Sequence, residues 1–182
     1  RPETEIVVDA ALEVIEEVPS PVVIDVGTGA GAIALSVKAE RPDAQVHATD
    51  VSGQAVLLAR ENAGALGLDV AVLEGDGLEP LPSDVRASVV ISNPPYLTSE
   101  EYGALPSEVR ADPERALVGG TELHARLADE SPKRLARGGW LVLEIGSTQG
   151  AEVAEILRGR FHDVEVLHDL AGRDRVVRGR LR

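Results

Sequence analysis

Cysteine and methionine are both missing from this 182-residue chain. Without Cys there is no disulfide framework and no thiolate metal site. Aromatic residues make up only 2% of the chain, so its 43% hydrophobic content must fill a core with Ala, Val, Leu and Ile. No apolar run approaches the roughly 20 residues of a membrane helix, and no signal peptide is visible. The lack of Met, with Arg1 at the start, reads as a piece of a longer chain whose targeting signal would have gone with its beginning. Positive charge is scarce. A net charge of −13 leaves an acidic surface that repels phosphate backbones. A short basic run from Arg173 to Arg182 is the local exception. His47, His124, His162 and His168 show no paired ligand spacing, so surface or capping roles are expected for them, and no metal site.

What is present is an alternation of strand and helix signals over a length that suits one domain. Thr4 to Glu17 reads as a helix with Ile6, Val7, Ala10, Ala11, Val14 and Ile15 on one face. "PVVIDVG" is a continuous apolar run of the kind buried parallel strands show. A helix follows, stopped by Pro42, then the strand "AQVHATD", a helix ending near Gly67, and the strand "DVAVLEGD". "ASVVISN" is a fourth strand. "TELHARLADESPKRLA" reads as a helix despite Pro132, "GGWLVLEIG" as a fifth strand, and Gln149 to Arg158 as a helix. "HDVEVLHD" and "DRVVRGRLR" form a closing hairpin around "LAGR". The alternation predicts an α/β fold: a doubly wound three-layer sandwich with a seven-stranded, mostly parallel sheet and an antiparallel C-terminal hairpin. The long irregular stretch from Asn93 to Gly120 reads as a functional loop.

Ligands of such sheets sit at the carboxyl ends of the strands. After the first strand, Gly27, Gly29 and Gly31 allow a tight turn and close approach of a ligand, and the next helix points its amide end at the same space. Asp50 closes the second strand, where a carboxylate accepts hydrogen bonds from ribose hydroxyls. Both features suit NAD as well as S-adenosylmethionine, since Gly27, Gly29 and Ala32 also satisfy a loose dinucleotide fingerprint. As a bland alternative, Asp50 caps the next helix, a task Ser52 performs equally well. Asp76 is read as the end of the third strand, either an acceptor for an adenine amine or a turn residue before Gly77.

"SNPPY", at the end of the fourth strand, decides between the cofactors. It has no role in hydride transfer, but it suits methylation of a planar nitrogen. The lone pair of an amide or aromatic amine nitrogen is delocalised and must be held in line with the electrophile. The Asn93 side-chain oxygen and the Pro94 carbonyl can accept both N–H groups. The prolines fix φ and aim that carbonyl, and Tyr96 offers a flat apolar face. Catalysis then proceeds by positioning and charge stabilisation, with no general base needed before transfer. The alternative is simple turn chemistry at Asn-Pro-Pro.

"VIDVGTGAG", Asp50, "GDG" and "SNPPY" resemble the class I S-adenosylmethionine-dependent methyltransferases, which are Rossmann-like. "RPETE", "EVRADPERALVGG", "LEIGSTQG" and "DLAGRDRVV" narrow the resemblance to the HemK/PrmC-type protein glutamine methyltransferases. The resemblance covers nearly the whole chain. It implies a cytoplasmic, monomeric enzyme that methylates the Gln of the Gly-Gly-Gln motif in peptide-chain release factors, without binding nucleic acid or membrane. It implies that Gly27, Thr28, Gly29, Ala30, Gly31, Asp50, Asp76, Gly77 and Asn93 bind the cofactor. Asn93, Pro94, Pro95 and Tyr96 would clamp the substrate amide, with Asn93, Pro94 and Tyr96 catalytic. It also implies a helical N-terminal substrate-binding domain, absent from residues 1–182, which form the methyltransferase domain. Some positions depart from the family. Gly77 stands where a bulky residue packs on adenine, with Leu78 as the candidate substitute. Glu122 and Leu123 replace an acidic-Gly pair, and Asp112-Pro113 replaces Glu-Pro. A nucleic-acid amino-methyltransferase would use the same clamp but want a basic surface. An NAD-dependent oxidoreductase leaves "NPPY" without a purpose, and a non-catalytic partner-binding domain leaves Asn93 without one.

Overall fold

A computed structural model of the chain describes residues 2–95 and 120–182, with side chains from residue 5 onward. Helix α1 (Pro2–Val14) leads into β1 (Val22–Val26), α2 (Ala32–Glu40), β2 (Gln45–Asp50), α3 (Gly53–Leu66), β3 (Val70–Glu74) and β4 (Ala87–Ser92). Then come α4 (Glu122–Glu130), a 3-10 turn (Ser131–Lys133), β5 (Leu135–Glu144), α5 (Gly150–Arg158), β6 (Phe161–His168) and β7 (Asp174–Leu181). The strands form one seven-stranded sheet in the order β3-β2-β1-β4-β5-β7-β6. β7 pairs antiparallel with β5 and β6, and the other pairs are parallel. The fold class read from the sequence is therefore the one observed.

Side chains alternate across each strand, and this divides the core into two layers. Val89 and Ile91 face a cluster with Val7, Ala11 and Ile15 of the first helical segment, Ile33 and Val37 of α2, and Val56 and Ala59 of α3. Val90 between them faces the opposite cluster, with Leu127 of α4 and Val153 and Leu157 of α5. Aliphatic residues fill both layers, and Phe161 is the one fully buried aromatic among the described residues.

Two elements differ from the sequence reading. The helix predicted through Pro132 stops at Glu130, and the 3-10 turn carries Pro132 at its start. A proline inside the helix would remove a backbone bond and clash with the preceding turn. β5 begins at Leu135, upstream of the glycines expected to open it. Its register jumps between Ala87↔Leu135 and Val89↔Trp140, so residues 136–139 bulge out of the ladder. Gly138 has φ +75°, and a Cβ on Gly139 would lie 2.9 Å from the Ala87 carbonyl. Only glycine fits there.

Two arginines of the basic run at the C-terminal end are neutralised by acidic partners. Arg175 pairs with Asp169 at 3.0 Å, and Arg178 with Glu13 at 2.8 Å and Glu165 at 2.7 Å. The Arg178 guanidinium also lies 5.6 Å from the centre of the Trp140 ring. The histidines correct another expectation. His124 is neither exposed nor a cap. It is fully buried on α4, and burial lowers its pKa, so a neutral ring donates Nε2–H to the Glu144 carbonyl at 2.9 Å.

Candidate functional site

The strand order reverses between β1 and β4, which opens a crevice at their carboxyl ends. Val26 pairs with both Thr49 and Ser92, so the residues that follow these three positions emerge side by side. Those are Gly27, Asp50 and Asn93. β3 joins them through Asp50↔Glu74.

The loop after β1 is pinned from β2. The Thr49 carbonyl accepts from both Gly27 N at 2.8 Å and Thr28 N at 3.0 Å. Gly27, Gly29 and Gly31 have φ of +72°, +57° and +91°, a region that strains any side chain. The surroundings of the three differ. A Cβ on Gly31 would meet Leu35 at 3.0 Å and Ala59 at 3.3 Å, so this glycine lets α2 and α3 pack closely. Among the described residues a Cβ on Gly27 or Gly29 would meet nothing within 4 Å, so nothing described crowds these two. Ala30 is held by its carbonyl, which accepts from Asn62 Nδ2 at 2.9 Å.

Asp50 organises the middle of the site. Oδ2 accepts from Gly29 N at 2.8 Å and Oδ1 from Ser52 N at 2.9 Å. Ser52 is the helix cap, accepting from Ala55 N at 3.4 Å. Asp50 is thus left to brace the glycine loop against the start of α3. Each of its oxygens keeps acceptor capacity for a further donor.

Asp76 takes the second of its two readings, a turn residue before Gly77, and does not end the strand. β3 ends at Glu74, and Asp76 lies in the turn beyond it. Both its oxygens accept from Arg126 Nη1 on α4, at 2.9 and 2.8 Å. Arg126 Nε donates to Glu130 Oε1 at 2.9 Å, and Glu130 first, then Asp76, raises the guanidinium pKa. Gly77 has φ +56°, and its carbonyl accepts from Thr49 Oγ1 at 2.8 Å. Leu78, the candidate substitute for a bulky residue at 77, is 4% exposed and packs in the core, so it does not face the crevice.

At the end of β4, Ser92 is fully buried and donates from Oγ to the Val26 carbonyl at 2.7 Å. This bond ties β4 to β1 across the crevice. Asn93 follows it, partly exposed, and no hydrogen bond engages its side chain among the described residues. Pro94 is buried and Pro95 partly exposed. Tyr96, the loop from Leu97 and Asp112-Pro113 lie outside the described residues, as does Arg1 of the "RPETE" stretch. Among the described residues no three metal-ligating side chains converge, and no helix is long and apolar enough to cross a membrane.

Sequence reasoning passed over two residues. Arg126 meets Asp76 across 50 positions, a contact no local periodicity reveals. Asp25 was visible as an acid inside the apolar run "VVIDVG" but was given no role. It is fully buried, with Oδ2 accepting from Thr28 Oγ1 at 2.6 Å and Ala34 N at 3.1 Å. Its Oδ1 has no hydrogen-bond partner among the described residues. Burial pushes its pKa up to about 6, against the opposing Thr28 and Ala34 hydrogen bonds and helped by the Asp50 charge.

That shift has a definite sign. The unfolded chain ionises Asp25 in the ordinary carboxylate range, near pH ~4, whereas the folded chain does so only at about 6. The folded state holds the proton more tightly between these values. Its stabilising share is complete below the lower one and is lost as pH rises through the upper one. Asp25→Asn cannot ionise, so its stability should gain on the parent as pH rises across that window and then run parallel. Urea unfolding of both proteins across the window measures this directly, because all other carboxylates cancel in the difference. A pH-independent difference would contradict the assignment.

The comparisons with known proteins agree with this geometry. A family model described as "Methyltransferase small domain" matches residues 7–172. The chain is 43% identical over 183 residues to the release factor glutamine methyltransferase of Deinococcus radiodurans, covering 99% of this chain and 65% of that protein. It is 42% identical over 185 residues to the protein of the same name from Neisseria gonorrhoeae, covering 99% of this chain and 67% of that one. The chain thus spans about two thirds of the length of these curated relatives. Among solved structures, a T. thermophilus 16S rRNA N2 G1207 methyltransferase in complex with AdoMet and guanosine superimposes with a TM-score of 0.74. The match covers 100% of this chain and 43% of that one at 22% identity, a likeness of fold.

Proposed function

Because the chain belongs to the methyltransferase small domain family, and within it to the kin of the release factor glutamine methyltransferases, we propose that it methylates the side-chain amide of a release-factor Gln. The single observation that carries this reading is the placement of Asn93-Pro94-Pro95. These residues stand at the switch point, directly after a serine that locks β4 to β1, and the Asn93 amide is left without a partner among the described residues. A polar side chain so placed is available to a substrate.

The methyl donor in this proposal is S-adenosylmethionine, which when bound supplies a methyl group on a positively charged sulfur. The residues present fit it. Nothing described crowds Gly27 and Gly29, and both Asp50 oxygens keep acceptor capacity for ribose hydroxyls. The Asn93 side-chain oxygen and the Pro94 carbonyl accept the two N–H groups of the substrate amide and turn its nitrogen toward the donor. With the donor bound, the N–CH3 bond would form as the donor's S–CH3 bond breaks, leaving a neutral thioether, and the amide held by Asn93 and Pro94 would lose one N–H proton to solvent. The chain contributes alignment and an acceptor for a nitrogen growing more positive. Tyr96, as the flat neighbour of that amide, is part of the same proposal, as is a monomeric cytoplasmic protein.

The net charge of −13 favours a protein substrate over a phosphate backbone. Mass spectrometry of a release factor incubated with the protein and S-adenosylmethionine, beside a parallel reaction on RNA and DNA, tests the assignment. One added methyl on the Gln of Gly-Gly-Gln is expected, with none on nucleic acid. Methylation of another residue, or efficient labelling of nucleic acid, would overturn the substrate while leaving the fold untouched.

A further inference from the structure

The turn after β3 carries an arrangement that the sequence reading does not explain. Gly77 has no side chain, and Leu78 is buried, so neither presents a face to the crevice. The space beside Gly77 is occupied by Arg126. A Cβ placed on Gly77 would lie 3.2 Å from Arg126 Nη2 and 3.6 Å from Cζ. The guanidinium reaches there from α4 and is clamped at two points, by Asp76 through Nη1 and by Glu130 through Nε. The turn itself is fixed to the end of β2 by the Thr49–Gly77 hydrogen bond and by Gly75 N donating to the Asp50 carbonyl at 2.9 Å. The guanidinium is therefore a planar group held at two edges beside the turn that is tied to β2, with its side chain still 34% exposed.

An arginine held this way differs from a free surface arginine. Its plane is set before any ligand arrives, so packing a flat ring against it costs little ordering. The clamp also changes what Asp76 does. Both its oxygens accept from Arg126, so it orients the guanidinium, and each keeps acceptor capacity for a further donor.

We propose that Arg126 supplies the face on which the base of a bound adenine nucleoside packs, replacing a side chain at Gly77, with Asp76 and Glu130 as positioning residues. This rests on the reading of the crevice as an S-adenosylmethionine site. In this proposal the ribose would lie at Asp50 and the base would extend along the turn 75–77 toward α4.

Titration calorimetry with S-adenosylhomocysteine and with adenosine tests it, on the parent protein, Arg126→Ala and Arg126→Lys. Both variants should bind both ligands about tenfold more weakly, as expected for losing a partly desolvated planar cation against a ring. Lys keeps the charge and a contact with Asp76, so its fold is retained, but it offers no plane. In steady-state methyl transfer the loss should appear as a matching rise in KM for the donor. Arg126→Lys binding like the parent would overturn the proposal, because charge or packing of α4 would then account for the residue. Failure of the parent to bind either ligand would instead overturn the methyltransferase reading itself, and this proposal with it.

Discussion

Asn93→Ala is expected to lower turnover by about 10²-fold or more while leaving the affinity for S-adenosylhomocysteine nearly unchanged. Ser92 beneath it is locked to Val26, so the backbone at this point has little freedom to adapt. No described residue competes for the Asn93 side chain, and truncation therefore costs no fold-stabilising bond. What it removes is an acceptor needed only while the substrate amide is aligned and its nitrogen gains positive character. The loss should therefore appear in kcat. Asn93→Asp is a sharper probe of the same idea. It keeps an acceptor oxygen but replaces a donor with charge, so partial activity that depends on pH is expected from it. Steady-state rates on a release factor, with calorimetry on the same samples, separate the two quantities. An Ala variant that turned over like the parent would require the amide clamp to be abandoned.

Asp50→Ala should act on the other quantity, weakening donor binding by about 1.5–3 kcal/mol, the range for hydrogen bonds to a charged acceptor. Part of that loss is indirect. Asp50 holds the Gly29 and Ser52 amides on separate oxygens, so its removal releases the glycine loop from the start of α3. Asp50→Asn distinguishes this two-oxygen bracing from a single accepted bond. An Asn has one acceptor oxygen, so its NH2 must face one of the two backbone donors. Asn should then be no better than Ala, whereas a role resting on one accepted hydrogen bond would let it recover much of the affinity. Calorimetry with S-adenosylhomocysteine on all three proteins gives the answer. Unaltered binding in the Ala variant would remove Asp50 from the cofactor site.

Much of this was legible in the sequence because the physics is local. Buried parallel strands read as apolar runs, and each run here ends on a glycine, an acid or an Asn within a residue or two of where the strand stops. Gly27, Asp50 and Asn93 could be named for that reason. The failures have equally specific causes. The start of β5 was missed because its bulge depends on Gly139 lying against the Ala87 carbonyl, a contact between distant segments. His124 was given a surface or capping role because a polar residue on an amphipathic helix gives no sign of which carbonyl will receive it. Asp76 looked like a free acceptor because its partner lies far along the chain. Asp25 is different: an acid between Ile24 and Val26 was already an anomaly, and burial is what the anomaly meant.

The position of β7 bears on how the molecule comes together. It lies between β5 and β6, although it follows both in the chain. β6 is therefore synthesised before its only neighbour in the sheet. Until Asp174–Leu181 emerges, β5 has one unpaired border and β6 has two. The nascent polypeptide must carry those open borders, with the apolar residues Phe161 and Val166 among them, while the rest of the sheet is already able to assemble. Closure then comes in one late insertion that joins both strands at once and recruits Arg178 to Glu13 of the first helix. The first helix and the two outer strands are thus joined in a single step, and a ribosome that stalls before β7 leaves a product with the crevice outlined and its far flank unzipped.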